Sequence, residues 1–176
     1  APILVMQPTL EMAQTWSKDR FAPMLRDTLV LKELVKDPRA RDSNNTILHK
    51  TFAGGHITMA GANSASSLAS RPIRIVFMDE VDRFPASAGS EGDPVALTKK
   101  RTTTFWNRKI IMTSTPTVKG ASRIEQAFSE SDQRKYYVPC PECGEYQILY
   151  WSNIKWDQDE VGKHLPETAR YVCEFC

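Results

Sequence analysis

The stretch Ile73-Arg74-Ile75-Val76-Phe77-Met78-Asp79-Glu80-Val81-Asp82 governs how the rest of the chain is interpreted. Its first six residues are apolar except for Arg74, which predicts a buried strand, and acidic residues follow at once. A carboxylate at the tip of a buried strand is held rigidly, as a Mg²⁺ ligand requires. The next carboxylate points elsewhere and is able to polarise a water molecule. The stretch therefore predicts either a phosphate-cleaving site or a strand that simply ends in surface carboxylates.

Further apolar runs alternate with helical patterns on both sides of this stretch. The predicted elements are strands at 3–6, 73–78 and 109–113, a hairpin around Ala53-Gly54-Gly55, and helices from Thr9, over 62–70, from Asp93-Pro94 to about Phe105 and over 122–128. Thr9 and Asp93 are suitable N-caps, and Pro94 is suited to the first helical position. This order predicts an α/β fold with a mainly parallel sheet.

Ligands of such sheets bind beyond the carboxyl ends of the strands, where polar clusters follow three of the predicted strands. Thr113, Ser114 and Thr115 offer hydroxyls that could sense a γ-phosphate or an attacking water, or they form an ordinary turn before a proline. Gln7-Pro8-Thr9 suits contact with a nucleic-acid backbone, or it only caps a helix. Asp82 could bond a neighbouring loop and couple the site to motion.

The sequence contains no G-x-x-x-x-G-K-[ST] phosphate loop in its 176 residues. The chain begins inside a strand pattern and stops on a cysteine pair, so we expect both ends to be cut and the phosphate loop to precede Ala1. Apolar residues make up 41% and charged residues 25%, which is ordinary globular composition. The net charge of +2 is too small to indicate nucleic-acid binding by itself. There is no run of apolar residues long enough to predict a transmembrane helix.

Four cysteines lie in two C-x-x-C pairs, Cys140/Cys143 and Cys173/Cys176, separated by 29 residues. Four thiolates at this spacing suit a tetrahedral, structural Zn²⁺ site, and residues 147–151 and 153–156 between the pairs predict the strands of a zinc ribbon. Two disulfides or a redox-active pair are the alternatives. Tyr150, Trp151 and Trp156 are expected to pack around the metal rather than to stack on DNA. We predict a first domain over 1–135 and a ribbon-like module over 136–176.

Several motifs together resemble the large subunit of tailed-phage terminases, of the lambda-type GpA family. They are Gln7-Pro8-Thr9-Leu10-Glu11-Met12-Ala13, Gly61-Ala62-Asn63-Ser64, Ser67-Leu68-Ala69-Ser70-Arg71-Pro72, Asp79-Glu80-Val81-Asp82 and Thr113-Ser114-Thr115-Pro116-Thr117. The resemblance covers essentially the whole chain. It implies a helicase-like P-loop NTPase fold of the additional-strand, catalytic-glutamate class, of which this chain would hold a part.

The resemblance also implies a function: coupling of ATP hydrolysis to the pumping of double-stranded DNA through a portal into a procapsid. It makes Asp79 the magnesium-binding residue, Glu80 the catalytic glutamate, and Thr113, Ser114 and Thr115 the coupling motif. ATP, Mg²⁺ and structural Zn²⁺ are the expected cofactors. A terminase small subunit, the portal, DNA and further copies of the chain are the expected partners, in the host cytoplasm at the procapsid and away from membranes. An endonuclease activity is expected only of the full-length protein.

Two other functions remain open from the sequence. One is a superfamily 2 helicase-like ATPase, which uses the same acidic motif, and the other is an inactive scaffold that carries a zinc-ribbon binding module. An arginine finger is also undetermined, with Arg71, Arg74, Arg101 and Arg123 as candidates.

Overall fold

The computed structural model describes residues 1–35, 45–64 and 71–176. The predicted helix over 62–70 therefore lies largely outside the described residues. The described residues form two units, Ala1–Phe128 and Ser129–Cys176. Within them, no helix is long and apolar enough to cross a membrane.

The first unit is built on a five-stranded sheet with the order β2-β3-β1-β4-β5. The strands are β1 Pro2–Gln7, β2 His49–Phe52, β3 Gly55–Gly61, β4 Ile75–Asp79 and β5 Lys109–Thr113. β1 lies parallel to β3 and β4, and β4 lies parallel to β5, whereas β2 and β3 pair antiparallel as the two arms of the predicted hairpin. The mainly parallel sheet confirms the predicted α/β class.

Two apolar layers cover the faces of this sheet because successive strand residues point to opposite sides. On one face, Leu4, Met6, Val76 and Met78 pack in a cluster that includes Val95 of the next helix. On the other face the cluster includes Val5, Ala13, Phe21, Ile57 and Met59. That second layer covers β4 and β5 only partly, and Phe77 and Ile111 on these strands are each 39% exposed. In the described residues, β4 is therefore buried on one face only.

Helices follow the strands as the capping residues predict. They are α1 Leu10–Trp16, a π-helical turn Ser17–Phe21, α2 Ala22–Asp27, α3 Leu29–Lys32, α4 Pro94–Arg101 and α5 Arg123–Ser129. The Thr9 hydroxyl accepts the Met12 amide at 3.1 Å, and the Asp93 carboxylate accepts the Ala96 amide at 2.9 Å. Both residues thereby satisfy helix N-terminal amides that have no partner inside their own helix.

The prediction that α4 reaches Phe105 is wrong, since the helix ends at Arg101. The hydroxyl of Thr102 donates to the carbonyl of Lys99, and the hydroxyl of Thr103 donates to that of Lys100, both at 2.8 Å. Threonine hydroxyls that bond to nearby backbone compete with helix continuation, which explains the early end.

The second unit consists of short strand pairs. They are β6 Val138–Pro139 with β7 Tyr146–Gln147, and β8 Ile154–Gln158 with β9 His164–Tyr171, both antiparallel. The strand predicted over 147–151 is wrong beyond Gln147. There the Tyr171 hydroxyl donates to the Ile148 carbonyl at 3.2 Å and accepts the Tyr150 amide at 3.3 Å, so a side chain takes the place of a partner strand. Residues Trp151–Asn153 then form a 3₁₀ turn that leads into β8.

Candidate functional site

Asp79 lies at the carboxyl end of β4 and is held from both neighbouring strands. The Gln7 side-chain amide, at the end of β1, donates to Asp79 Oδ2 at 3.0 Å. The hydroxyl of Thr113, the register partner of Asp79 on β5, donates to Oδ1 at 2.8 Å. Each carboxylate oxygen keeps lone-pair capacity beyond these bonds. These two hydrogen bonds fix the orientation of the Asp79 carboxylate. A carboxylate held in this way suits a hard cation such as Mg²⁺.

Glu80 follows with a left-handed backbone conformation, φ 56° and ψ 47°. Its Oε2 atom is buried and accepts no hydrogen bond among the described residues, although Arg83 Nε lies 3.2 Å away as an ion pair. The positive charge of Arg83 attracts this oxygen, but the Nε–H group is not aligned to donate a hydrogen bond to it. The Glu80 side chain as a whole is 31% exposed. A carboxylate oxygen in this setting has the capacity to accept a hydrogen bond from a water molecule.

Asp82 bonds the loop that follows β5. One carboxylate oxygen accepts the amide and the hydroxyl of Thr117, at 3.0 and 3.2 Å, and the other accepts the Ile124 amide at 2.9 Å. Burial acts to raise the pKa of Asp82. The hydrogen bonds from Ser122, Ile124 and Thr117 outweigh it and lower the pKa to about 2. The predicted bond from Asp82 to a neighbouring loop is therefore present in the structure.

The other two hydroxyl residues after β5 differ in their surroundings. Ser114 Oγ accepts the Asp82 amide at 3.2 Å and donates to the Thr115 carbonyl at 3.2 Å. Thr115 itself is exposed. Thr113 and Ser114 thus connect the end of β5 to Asp79 and Asp82, whereas Thr115 has its carbonyl engaged by Ser114.

The two residues predicted to contact DNA also differ. Pro8 is buried, while Thr9 is exposed and caps α1. Gly61 lies against this loop, and a Cβ at Gly61 would come within 2.4 Å of the Leu10 amide nitrogen. Only glycine allows so close an approach of backbone.

Sequence reasoning missed three members of the site. Gln7 was identified only as part of a loop, yet it is 3% exposed and bonds Asp79. A polar residue at the end of an otherwise apolar strand was the available signal. The roles of Thr117 and Ser122 depend on how two loops fold together, for which the sequence holds no local signal.

An apolar cavity of about 310 Å³ lies beside Asp79. Trp16, Met24, Phe77 and Ile111 contribute to its wall, and Asp79 is among its few polar members. Low-dielectric walls strengthen electrostatic interactions at a carboxylate.

The four cysteines of the second unit form one cluster in which all the sulfur atoms lie within 4.8 Å of one another. Cys140 Sγ is 3.9 Å from Cys176 Sγ, and Cys143 Sγ is 3.8 Å from Cys173 Sγ. A zinc tetrahedron with bonds of about 2.3 Å has sulfur–sulfur edges of about 3.8 Å. The cysteines are free rather than disulfide-bonded, so the donor set fits a tetrahedral thiolate site.

The four thiols of the cluster lie close enough to shift one another's pKa. The pKa of Cys173 is lowered to about 6. The largest cause is the hydrogen bond that the Phe175 amide donates to Cys173 Sγ at 3.4 Å. The surrounding thiols of Cys143, Cys173 and Cys140 raise the pKa of Cys176 to about 12. Four thiolates so close together repel one another, and a bound cation relieves that repulsion.

The expectation that the aromatic residues pack around the metal is wrong for at least one of them. Trp151 is 77% exposed, whereas Tyr150 and Trp156 are 44% and 39% exposed. The Trp156 indole instead donates to His164 Nδ1 at 2.6 Å. A module of this size buries only part of its surface, so the three rings stay partly or largely exposed.

Comparison with known proteins identifies relatives of the entire chain. The model of the family described as phage terminase large subunit gpA, ATPase domain, matches residues 1–176. The terminase large subunit of Enterobacteria phage P21 is 32% identical, and that of Escherichia phage lambda is 30% identical, each over 97% of this chain. The chain spans 27% of the length of each of these relatives.

Solved structures show the same fold at lower sequence identity. The HK97 bacteriophage large terminase aligns with a TM-score of 0.56 at 12% identity, over 73% of this chain and 25% of its own. A variant of the Thermus phage P74-26 large terminase ATPase domain aligns with a TM-score of 0.52 at 15% identity, over 85% of this chain and 60% of its own.

Proposed function

The chain belongs to the gpA family of phage terminase large subunits, within their ATPase domain, and we propose that it forms part of an ATP-hydrolysing motor that moves double-stranded DNA into a procapsid. The observation that carries the proposal is the arrangement at the end of β4. Asp79 is fixed from two neighbouring strands, and Glu80 follows with a buried carboxylate oxygen that has no hydrogen-bond donor among the described residues.

The proposed division of labour follows from these surroundings. Asp79 would hold Mg²⁺, which when bound offsets the charge on the β- and γ-phosphates of ATP. Gln7 and Thr113 keep the Asp79 carboxylate in one orientation through their hydrogen bonds. Glu80 orients the attacking water and accepts its proton. This is the role of a general base, whose carboxylate must lie within hydrogen-bond reach of that water.

We assign the coupling role to the hydroxyl residues after β5 and to Asp82. Thr113 contacts the metal-binding carboxylate, and Ser114 contacts the backbone of Asp82. A displacement at either carboxylate would therefore pass directly to the loop over 113–117. Thr115, which is exposed, is assigned to sensing of the γ-phosphate.

The remaining partners come from the family. We propose that the complete protein acts on double-stranded DNA in the host cytoplasm, as several copies assembled with a terminase small subunit at the portal of the procapsid. The endonuclease activity expected of the complete protein would reside in a part of that protein other than this chain. Thr9 is retained as a DNA-contact residue, because it is exposed at a strand-end loop, and Pro8 is set aside because it is buried.

We assign residues 1–135 to the motor domain and 136–176 to a zinc-ribbon module. Cys140, Cys143, Cys173 and Cys176 would hold one structural Zn²⁺, which when bound closes a four-coordinate sphere and stabilises the ribbon. The sulfur–sulfur distances of 3.8 and 3.9 Å support this assignment.

Packaging by the complete protein tests the proposed function against a helicase-like function. Procapsids, linear DNA, ATP and the protein are combined, and DNA protected from nuclease is measured. We expect protection with the wild type and with Glu91→Gln, an exposed loop residue that serves as the matched control, and none with Glu80→Gln. Strand separation by the wild type without any protected DNA would favour the helicase-like alternative and overturn the proposal.

A further inference from the structure

Arg123, the first residue of α5, binds the segment that follows the proposed base. Its Nη1 donates to the carbonyls of Val81 and Phe84, at 3.3 and 2.8 Å, and its Nη2 donates to the Pro85 carbonyl at 3.0 Å. Three backbone carbonyls within five residues thus share one guanidinium. This segment begins directly after Glu80.

The same guanidinium forms an ion pair with the cap of α4. Arg123 Nη2 lies 3.1 Å from Asp93 Oδ1, while Asp93 Oδ2 accepts the Ala96 amide. The Arg123 side chain is 27% exposed. Because its charge is balanced and both terminal nitrogens are engaged inside the protein, Arg123 is poorly placed to extend to a phosphate as an arginine finger.

A second attachment reinforces the first. Asp82 accepts the amides of Thr117 and Ile124, so that the segment is attached to the loop after β5 and to α5 at once. Arg123 and Ile124 are neighbours, and both bind the short turn that follows Glu80. The segment after Glu80 is therefore fixed through its carbonyls and through its only carboxylate.

Glu80 depends on this fixation because its backbone is in the left-handed region at φ 56°. A residue with a side chain stays in this sparsely populated conformation only where the surrounding structure determines it. Moving the carbonyls of Val81 and Phe84 would let Glu80 relax to another conformation and turn its carboxylate away. The backbone of the turn therefore acts on the direction of the Glu80 side chain together with the ion pair to Arg83.

We propose that Arg123 is a positioning residue for Glu80, and that it supports ATP hydrolysis by holding the turn 81–85 rather than by touching the nucleotide. This inference rests on the proposed function. Arginine suits the role because its planar fork presents several donors in fixed directions. Lysine has a single nitrogen on a flexible stem and cannot serve the same carbonyls with that geometry.

The test uses steady-state ATP hydrolysis and equilibrium nucleotide binding by the complete protein with Arg123→Lys and Arg123→Gln. We expect kcat to fall by about tenfold to a hundredfold, as for a misplaced catalytic group, with nucleotide Kd unchanged. Arg26→Gln is the matched control, because Arg26 forms an exposed ion pair with Asp27 in the same unit. It should leave kcat unchanged. If Arg123→Gln fails to fold, Arg123→Lys carries the test, and an unchanged kcat in that variant overturns the proposal.

A double variant separates positioning from the other possible roles. In a Glu80→Gln background the carboxylate to be positioned is gone, so adding Arg123→Lys should not lower the residual kcat further. A further fall in the double variant would indicate that Arg123 acts on the nucleotide directly, and it would overturn the proposal. The proposed function fails separately, if Glu80→Gln alone hydrolyses ATP at the wild-type rate.

Discussion

Glu80 is the one residue of the Asp79-Glu80 pair that adopts a backbone conformation unfavourable for residues with side chains. Its left-handed φ and ψ cost about 1 kcal/mol or more. The sequence predicted that Asp79 and Glu80 lie at the end of a strand, because an acidic pair after an apolar run is a local pattern. The strain at Glu80 and the role of Arg123 could not be predicted, since both come from contacts between segments about forty residues apart, such as Arg123 with Val81 and Phe84.

Asp82 provides a prediction at the same scale. Its pKa is lowered to about 2 from the ordinary aspartate value of 3.8, so its hydrogen bonds stabilise the folded state fully above pH 3.8. That stabilisation is lost as the pH falls toward 2. Carboxyl ¹³C NMR of aspartate-labelled protein should show one resonance titrating near pH 2 that disappears in Asp82→Asn. A midpoint for that resonance near pH 3.8 would show that the contacts with Thr117 and Ile124 do not form in solution.

At the scale of elements, the parallel strands were predictable and the ribbon strands only partly so. β1, β4 and β5 are apolar runs that end in polar residues, and these local signals also marked the strand-end site. The ribbon strands are short and mostly exposed, so periodicity does not define them. The course of residues 148–153 depends on Tyr171, which contacts Ile148, Tyr150 and Asn153 from more than fifteen residues away.

The cysteine cluster gives a prediction at the scale of this module. Metal analysis of the purified protein should find about one Zn per chain. Cys173→Ser should lose the zinc, because a four-thiolate site binds it weakly when one ligand is missing. His164→Gln is the control, since His164 contacts Trp156 and is not a member of the cluster. Equal zinc content in the two variants would exclude the four-cysteine site.

At the scale of the whole molecule, the charge is divided unequally between the units. The first unit carries 18 Lys and Arg against 12 Asp and Glu, whereas the second carries 5 against 9. The small net charge of +2 is therefore the sum of a basic first unit and an acidic second unit. Since binding to DNA phosphates is driven by positive charge, we expect backbone contacts to DNA on the first unit. The acidic ribbon, with its exposed Trp151, is less suited to them.

We propose Glu80 as the catalytic base, so its removal is the most direct test of the proposed ATPase site. ATP hydrolysis and nucleotide binding are measured side by side for the complete protein, Glu80→Gln and the control Glu91→Gln. Loss of a general base should lower kcat by about 10²- to 10⁴-fold in Glu80→Gln, with nucleotide binding retained and Glu91→Gln unaffected. Hydrolysis by Glu80→Gln at the wild-type rate would contradict the assignment of the end of β4 as the catalytic site.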